Sequence, residues 1–271
     1  MLSMLPVSLF QDIFAGRITV EEWSETAAEI GLDAFDISIL FVRDRTPAGL
    51  SKMRHALQTG GLPLAMVATY PDFTNPDPDY AEKELYRALS DIAVASDLGA
   101  QFVRITAGQY YPGIDEQAQL DAACRSLEVC AKYAESWNIQ LLWENHSKPG
   151  AWEHPDFDYD VRRLSMFKER LKGGPIRMNY DTANAYLLGL GKDFLDSCLP
   201  EIASVHLNDV ASISPIQFCG IGDGVAPVKE TVQYLQNLGF SGLFSVEEAS
   251  MQGLNGVRHY GAVAKHMLSD H

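Results

Sequence analysis

The sequence predicts an α/β protein built as a single (β/α)8 barrel. Three observations point there: eight short β-rich runs, amphipathic stretches between them, and a length of 271 residues, close to the roughly 250 such a barrel takes. In chain order the strand candidates are LPVSLF (5–10), AFDISIL (34–40), LPLAMVAT (62–69), AQFVRITA (100–107), IQLLWE (139–144), PIRMNY (175–180), IASVHLN (202–208) and GLFSVE (242–247). The helical stretches among them include VEEWSETAAEIG, DYAEKELYRALSDIAVASDLG, DEQAQLDAACRSLEVCAKYAESW and APVKETVQYLQNLG. LNGVRHYGAVAKHML comes last of about eight helices. Gly31, Gly99 and Gly239 end helical patterns just before a strand, where a left-handed C-cap belongs. Strands alternating with helices pair in parallel through right-handed crossovers.

A doubly wound open sheet would suit the same alternation. Against it, LFQDIFAG follows the first strand where a dinucleotide fold carries GxGxxG. The chain also has no Walker A motif, no GxSxG elbow and no low-complexity linker, so residues 1–271 read as one domain. The Pro-rich YPDFTNPDPDY after the third strand is a loop long enough to form part of a substrate lid.

Charge narrows the partners. The formal net charge is −15, from 36 acidic and 21 basic residues. Such a surface repels phosphate backbones and anionic lipid, which argues against nucleic acid and membrane. The four cysteines, Cys124, Cys130, Cys198 and Cys219, form no CxxC pair, so a zinc–thiolate site is not expected. Cys124 and Cys130 fall in a helical pattern and read as small buried residues. MLSMLPVSLF lacks the basic leader of a signal peptide, and no apolar run approaches the roughly 18 residues of a membrane helix. The expected setting is soluble and cytoplasmic.

Catalytic groups of a barrel enzyme sit at the C-terminal ends of its strands. Here the fifth strand ends at Glu144 (LLWENH), the sixth at Asp181 (RMNYDTAN), the seventh at His206 (SVHLND) and the eighth at Glu247 (FSVEEA). Singly, each has an ordinary reading as a rim carboxylate, a helix cap or a core histidine. Four on consecutive strands, delivered to one end, read together as a site for one divalent metal ion. An oxygen-rich set with one imidazole suits Mn²⁺, Mg²⁺ or Co²⁺, with Zn²⁺ also open. Three carboxylates crowded together without a cation would repel, and some would have to protonate. Strand alternation places Asn179 and Arg177 on the face of Asp181, and Ser204 and Asn208 on that of His206. Arg177, or Arg104 in FVRITAG, is then a buried countercharge or an outward-facing residue.

At these residues the chain resembles the xylose isomerase-like TIM barrel superfamily, specifically its sugar phosphate isomerase/epimerase group. The resemblance spans nearly the whole chain and is strongest from Leu141 onward. It implies metal ligands at Glu144 in WENH, Asp181 in YDTAN, His206 in HLND (with Asp209) and Glu247 in GFSGLFSVE. GIGDGVAP (220–227) matches the family's segment between strands seven and eight. Glu247 is taken over Glu248 because it lies at the family's distance from GFSG. Two departures stand out. Asn184 occupies the position where the family's epimerases usually carry His, and VASISPIQF follows HLND where a basic residue is common. The substrate contacts of known ketose epimerases therefore do not carry over. The DNA-repair branch uses additional histidines for three metals, and VATYPDF and ITAGQYY contain none, which argues against a nuclease.

The resemblance implies a metal-dependent isomerase or epimerase of a small sugar, sugar phosphate or related polyhydroxy carbonyl compound. Glu144 and Glu247 would pass the proton, and His146, Asn184, Asp209, Arg177 and Arg104 are candidate substrate contacts. Two rivals share the scaffold. One is a lyase dehydrating a keto-inositol or dehydroshikimate-type ring, with His146 or another loop residue as the acid. The other is a non-catalytic sugar-binding barrel. Phe73, Tyr110, Tyr111 and Trp152 fall on predicted rim loops, where aromatics shape a sugar pocket, pack, or form contacts of a homo-oligomer.

Overall fold

The computed structural model describes residues 1–147 and 152–269. Eight strands, all parallel, form one sheet: β1 (Leu2–Leu5), β2 (Phe35–Ser38), β3 (Leu64–Ala68), β4 (Phe102–Ile105), β5 (Gln140–Glu144), β6 (Arg177–Asp181), β7 (Ile202–Leu207) and β10 (Leu243–Glu247). Their spatial order, β1-β10-β7-β6-β5-β4-β3-β2, brings β1 back beside β2. The Asp33 and Ala34 N–H groups donate to the Leu2 carbonyl, and the Leu2 N–H donates to the Asp33 carboxylate at 2.8 Å. The barrel is thus nearly closed.

Helices α2 (Val20–Glu29), α3 (Pro47–Gln58), α4 (Pro78–Asp97), α5 (Glu116–Ser136), α6 (Val161–Leu171), α9 (Val228–Asn237) and α10 (Gly253–Ser269) lie in the connections between strands or after the last one, joined by the shorter α1 (Phe10–Phe14), α7 (Thr182–Leu187) and α8 (Lys192–Cys198). Their starts are chemically marked. Thr19 and Glu22 form a reciprocal capping box on α2, and Asp77, Asp115 and Asp160 cap α4, α5 and α6. Each such cap satisfies backbone N–H groups that the first turn leaves free. Gly31, Gly99 and Gly239 hold φ of 71°, 88° and 77° at the exits, as C-cap glycines do.

The first strand lies earlier than its sequence pattern suggests. Pro6 has no N–H for the ladder, so β1 stops at Leu5 and residues Val7–Leu9 coil into a 3-10 turn. The second strand likewise stops at Ser38, whose hydroxyl accepts from the Leu40 N–H and turns Ile39–Phe41 into another such turn. A hairpin, β8 (Asp209–Ile213) and β9 (Ile216–Cys219), adds two antiparallel strands that the alternation pattern did not signal. Among the described residues no helix is long and apolar enough to cross a membrane.

Strand alternation divides the core. Outward-facing Leu141, Trp143, Met178, Tyr180, Val205, Leu207, Phe244 and Val246 pack beneath the helices in the main apolar cluster. A small separate cluster, including Ala34, Leu142 and Leu243, lies toward the strands' N-terminal ends. Above it the interior turns polar, with buried Ser3, Asp36, Arg104, Asn179, Ser204 and Ser245. The polar end is also the C-terminal end of the strands.

Gly220, directly after β9, lies against Tyr260 on α10. A Cβ there would stand 1.9 Å from the Tyr260 ring, and the ring is tethered because its hydroxyl donates to Asp223 at 2.6 Å. Gly220→Ala is therefore expected to lower stability by about 3 kcal/mol, the scale of an overpacked core. Chemical denaturation of variant and wild type would show the difference; equal midpoints would mean that Tyr260 moves freely.

Candidate metal centre

The four strand-end residues meet. Glu144 ends β5, Asp181 ends β6, His206 lies one residue before the end of β7, and Glu247 ends β10. Register does the gathering: Asp181 pairs with His206, Glu144 with Asn179, and His206 with Ser245, two residues before Glu247. One ligand atom from each of the four lies within 4.8 Å of those of the other three. The Glu144 and His206 side chains are wholly buried, whereas that of Glu247 is 21% exposed, so the cluster opens on the Glu247 side.

Buried charge dominates the electrostatics. His206 Nδ1 stands 2.8 Å from Glu144 Oε1 and 3.0 Å from Glu247 Oε2. Arg104 Nε is 2.9 Å from Glu144 Oε2, an ion contact whose N–H is not aimed at the oxygen. The Arg104 guanidinium also stacks on the Tyr70 ring at 4.6 Å and donates to the Thr69 carbonyl. Burial acts to raise the pKa of Glu144, but the charges of His206 and Arg104 overcome it and bring the carboxyl down to about 2. Burial likewise acts against the charged form of His206, and Glu144 and Glu247 reverse that, holding the imidazole well above its usual value. Asp181 goes the other way. Its burial, reinforced by the Glu247 and Glu144 charges, pushes its pKa well above the carboxylate range.

Asp181 is also the best anchored of the four. Its carboxylate caps α7 by accepting the Asn184 N–H at 2.6 Å, and its other oxygen accepts from Asn208 Nδ2 at 3.1 Å. Asn145 grips its backbone from the neighbouring strand, donating to the Asp181 carbonyl at 2.9 Å and accepting its N–H at 2.8 Å. These bonds set where the end of β6 stands relative to the end of β5.

Three carboxylates and an imidazole converging on one point fit a divalent ion. Without a cation Asp181 and His206 hold their protons to higher pH than usual, and the one Nδ1 of His206 faces two glutamate carboxylates. The donor set is that of hard and borderline ions, as the ligand chemistry of such metals requires.

The other expected site residues divide. Arg104 joins the cluster through Glu144. His146 stands two residues beyond Glu144, with Nδ1 2.5 Å from Asp156 Oδ1 and its ring 6.5 Å from Tyr70 and 6.4 Å from Trp152. Asn184 flanks Asp181 through its backbone. Asp209 is turned to its own loop: its two oxygens accept the N–H groups of Val210, Gly222, Gly224 and Ala226 at 2.8–3.1 Å. Arg177 is not brought to the cluster. It starts β6, at the opposite mouth, and its guanidinium donates to the carbonyls of Pro200 and Glu201.

Of the rim aromatics, Phe73 is buried in the core, Tyr110 lies 4.0 Å from the Arg163 guanidinium, and Tyr111 donates to Asp72. Tyr70 and Asp156 did not stand out in the sequence. Tyr70 was legible only as the first residue of a Pro-rich loop, and Asp156 lies ten residues from the histidine it meets.

Comparison with known proteins agrees with the barrel fold. Residues 24–268 match the xylose isomerase-like TIM barrel family. The chain belongs to that family. Among solved xylose isomerase-like and related barrels, an IOLI protein with a bound zinc atom superimposes with a TM-score of 0.78 at 13% identity, over 99% of this chain and 98% of that one. The probable 3-DHS dehydratase AsbF from Bacillus anthracis gives 0.75 at 14% identity, over 97% and 98%. D-psicose 3-epimerase from Clostridium cellulolyticum H10, with D-tagatose, gives 0.73 at 12% identity, over 98% and 99%. At such identities the likeness is one of fold. No curated protein matches the sequence.

The two raised pKa values carry a sign. In the metal-free protein Asp181 and His206 keep their protons to higher pH than usual, and both must release them to ligate an ion. Metal affinity is therefore expected to rise with pH, with protons released as the ion binds. Calorimetric titration of Mn²⁺ or Co²⁺ in buffers of different ionisation enthalpy would count them. Affinity independent of pH would contradict the arrangement.

Proposed function

We propose that the protein is a divalent-metal-dependent isomerase or epimerase of a small polyhydroxy carbonyl compound. The observation that carries this reading is the meeting of Glu144 and Glu247, from β5 and β10, at one atom, His206 Nδ1, which stands 2.8 Å from the first and 3.0 Å from the second. Two carboxylates facing one point suit proton transfer at a carbon held between them: one removes the proton and the other returns one. An ion held by Glu144, Asp181, His206 and Glu247 would polarise the substrate carbonyl and acidify the neighbouring C–H.

The chain's own residues set the rest. Arg104 and His206 keep Glu144 anionic, so it is ready to take a proton but is a weak base, and the substrate must supply the acidity. Glu247, with 21% of its side chain exposed, lies on the side from which substrate would enter. The proton leaves the carbon α to the carbonyl, giving an enediolate. A proton is then delivered to the former carbonyl carbon in an isomerase, or to the opposite face of the same carbon in an epimerase. The epimerase among the similar structures supports a sugar as substrate.

A second reading, dehydration of a keto-inositol or dehydroshikimate-type ring, is favoured by one contact. Asp156 holds His146 through Nδ1 at 2.5 Å, two residues beyond Glu144, so the imidazole is positioned to serve as the acid for a departing β-hydroxyl. The first proton removal is common to both reactions, and the dehydratase of the same fold supports the alternative.

Glu144→Gln keeps the shape and loses the charge, and is expected to lower kcat/KM by about 10³-fold in either reaction. Incubating the metal-loaded protein with candidate ketoses in D₂O tests the reading itself. Deuterium incorporated without loss of water marks the isomerase or epimerase, and a conjugated enone absorbance marks the lyase. Neither signal, across ketoses and cyclic keto-polyols, would leave a sugar-binding barrel.

A further inference from the structure

One ring atom of the cluster is unaccounted for. His206 turns Nδ1 to Glu144 and Glu247, and its other nitrogen, Nε2, is buried with no hydrogen-bond partner among the described residues. A histidine that ligates through one nitrogen needs a fixed proton on the other, because that proton's bond sets both tautomer and ring orientation.

The groups that could receive it lie one layer toward the N-terminal mouth. Asn179 and Ser204 pair in register across β6 and β7, as Asp181 and His206 do above them. With two residues between layers, all four share the interior face. Asn179 and Ser204 are wholly buried, and neither amide atom of Asn179 nor the Ser204 hydroxyl has a hydrogen-bond partner among the described residues. Other interior hydroxyls are committed: Ser3 and Ser245 both donate to Asp36. Barrel interiors are usually filled by bulky branched side chains. Here an amide and a hydroxyl stand beneath an imidazole with a free N–H, and buried polar groups of this kind are normally bonded.

We propose that Asn179, Ser204 and His206 Nε2 enclose one ordered water, and that Asn179 acts through it as a positioning residue, holding His206 with its Nδ1 lone pair toward the metal ion. The water accepts a hydrogen bond from Nε2–H and donates its own two to Asn179 Oδ1 and Ser204 Oγ, about three bonds, the usual number for a buried water. None of these atoms makes a direct hydrogen bond to another, which is why a bridging water is needed to join them. The proposal rests on the metal reading above.

Co²⁺ titration of the full chain, followed by visible absorption, tests it when paired with thermal unfolding of the metal-free protein. Asn179→Leu should weaken Co²⁺ binding about 10- to 100-fold, the usual cost of losing a partner of a ligating histidine, and should alter the Co²⁺ absorption envelope. Its metal-free unfolding temperature should be unchanged or higher, because an unpartnered buried amide gives way to an apolar group. Asn179→Ser, which keeps a polar atom, should recover part of the affinity. A folded Asn179→Leu that binds Co²⁺ as tightly as wild type overturns the proposal. So does lowered unfolding temperature with unchanged affinity, the mark of a purely structural residue.

If Asn179→Leu does not fold, a high-resolution crystal structure of the wild type decides. A water within about 3 Å of both Nε2 and Asn179 supports the assignment, and a direct side-chain partner or no water there overturns it. A wild-type chain that binds no Co²⁺ brings down the metal reading and this one together. Normal wild-type binding with an indifferent Asn179→Leu brings down this one alone.

Discussion

Everything at the C-terminal end of this barrel answers to one constraint: three carboxylates and an imidazole are held within 4.8 Å of one another inside a protein. Such a concentration of charge does not survive in an apolar interior without compensation. The chain compensates in three ways. Arg104 and His206 bracket Glu144, two asparagines and a helix N-terminus bind Asp181, and the layer beneath is built of Ser3, Asp36, Asn179, Ser204 and Ser245 in place of aliphatic residues. The interior is thus given over to polar groups. Apolar burial is carried instead by the outward faces of the strands, where side chains such as Trp143 and Phe167 pack edge to face at 5.4 Å.

Because the interior is polar, the loops above it must be held by something other than packing, and a second buried carboxylate does this. Asp72 accepts from Thr74, from the backbone and side-chain amides of Gln109, and from Tyr111, joining the loop after β3 to the loop after β4. Gln109 in turn accepts the His154 N–H and bridges to Asp156, whose carboxylate holds His146. Gly108 makes the approach feasible: at φ 123° it has no Cβ, and one built there would lie 2.4 Å from the Thr74 hydroxyl. The Pro-rich segment that looked like part of a lid is therefore pinned at Asp72 and Phe73. A chain of hydrogen bonds runs from it to the residue two places beyond Glu144.

How much of this could be read from the sequence depends on range. Alternation and glycine exits gave the barrel because they are local signals, and they failed where a local rule was overridden. Pro6 cut the first strand short, and the β8–β9 hairpin grew out of a loop with no helical period to mark it. The four ligand candidates were legible because each ends a strand, so topology alone carries them to one place. Asn179 and Ser204 lie in two of the same strands and Asp36 in β2, but they were seen, at most, as neighbours sharing a face. Their meaning comes from layer and register, which no single segment encodes. The His146–Asp156 contact and the self-contained loop around Asp209 are loop geometry, and the start of a strand gave no hint that Arg177 would turn to the opposite mouth.

The two glutamates look equivalent in sequence, each at the end of a strand and each followed by further polar residues, yet the structure makes them unequal. Glu144 has an ion contact on one oxygen and an imidazole on the other, and none of its side chain is exposed. Glu247 meets only His206 among these partners and keeps 21% of its side chain open. A carboxylate stabilised by two cations gains little by taking a proton, whereas one with a free edge can turn toward a substrate atom at small cost. On the proposed reaction the stereochemical choice then follows from this asymmetry: Glu144 is fixed and sets the face of the carbon from which its proton is exchanged. Glu247 has the freedom to serve the other face or the neighbouring carbon. Register puts both residues at the site, and the unequal company they keep there separates their roles.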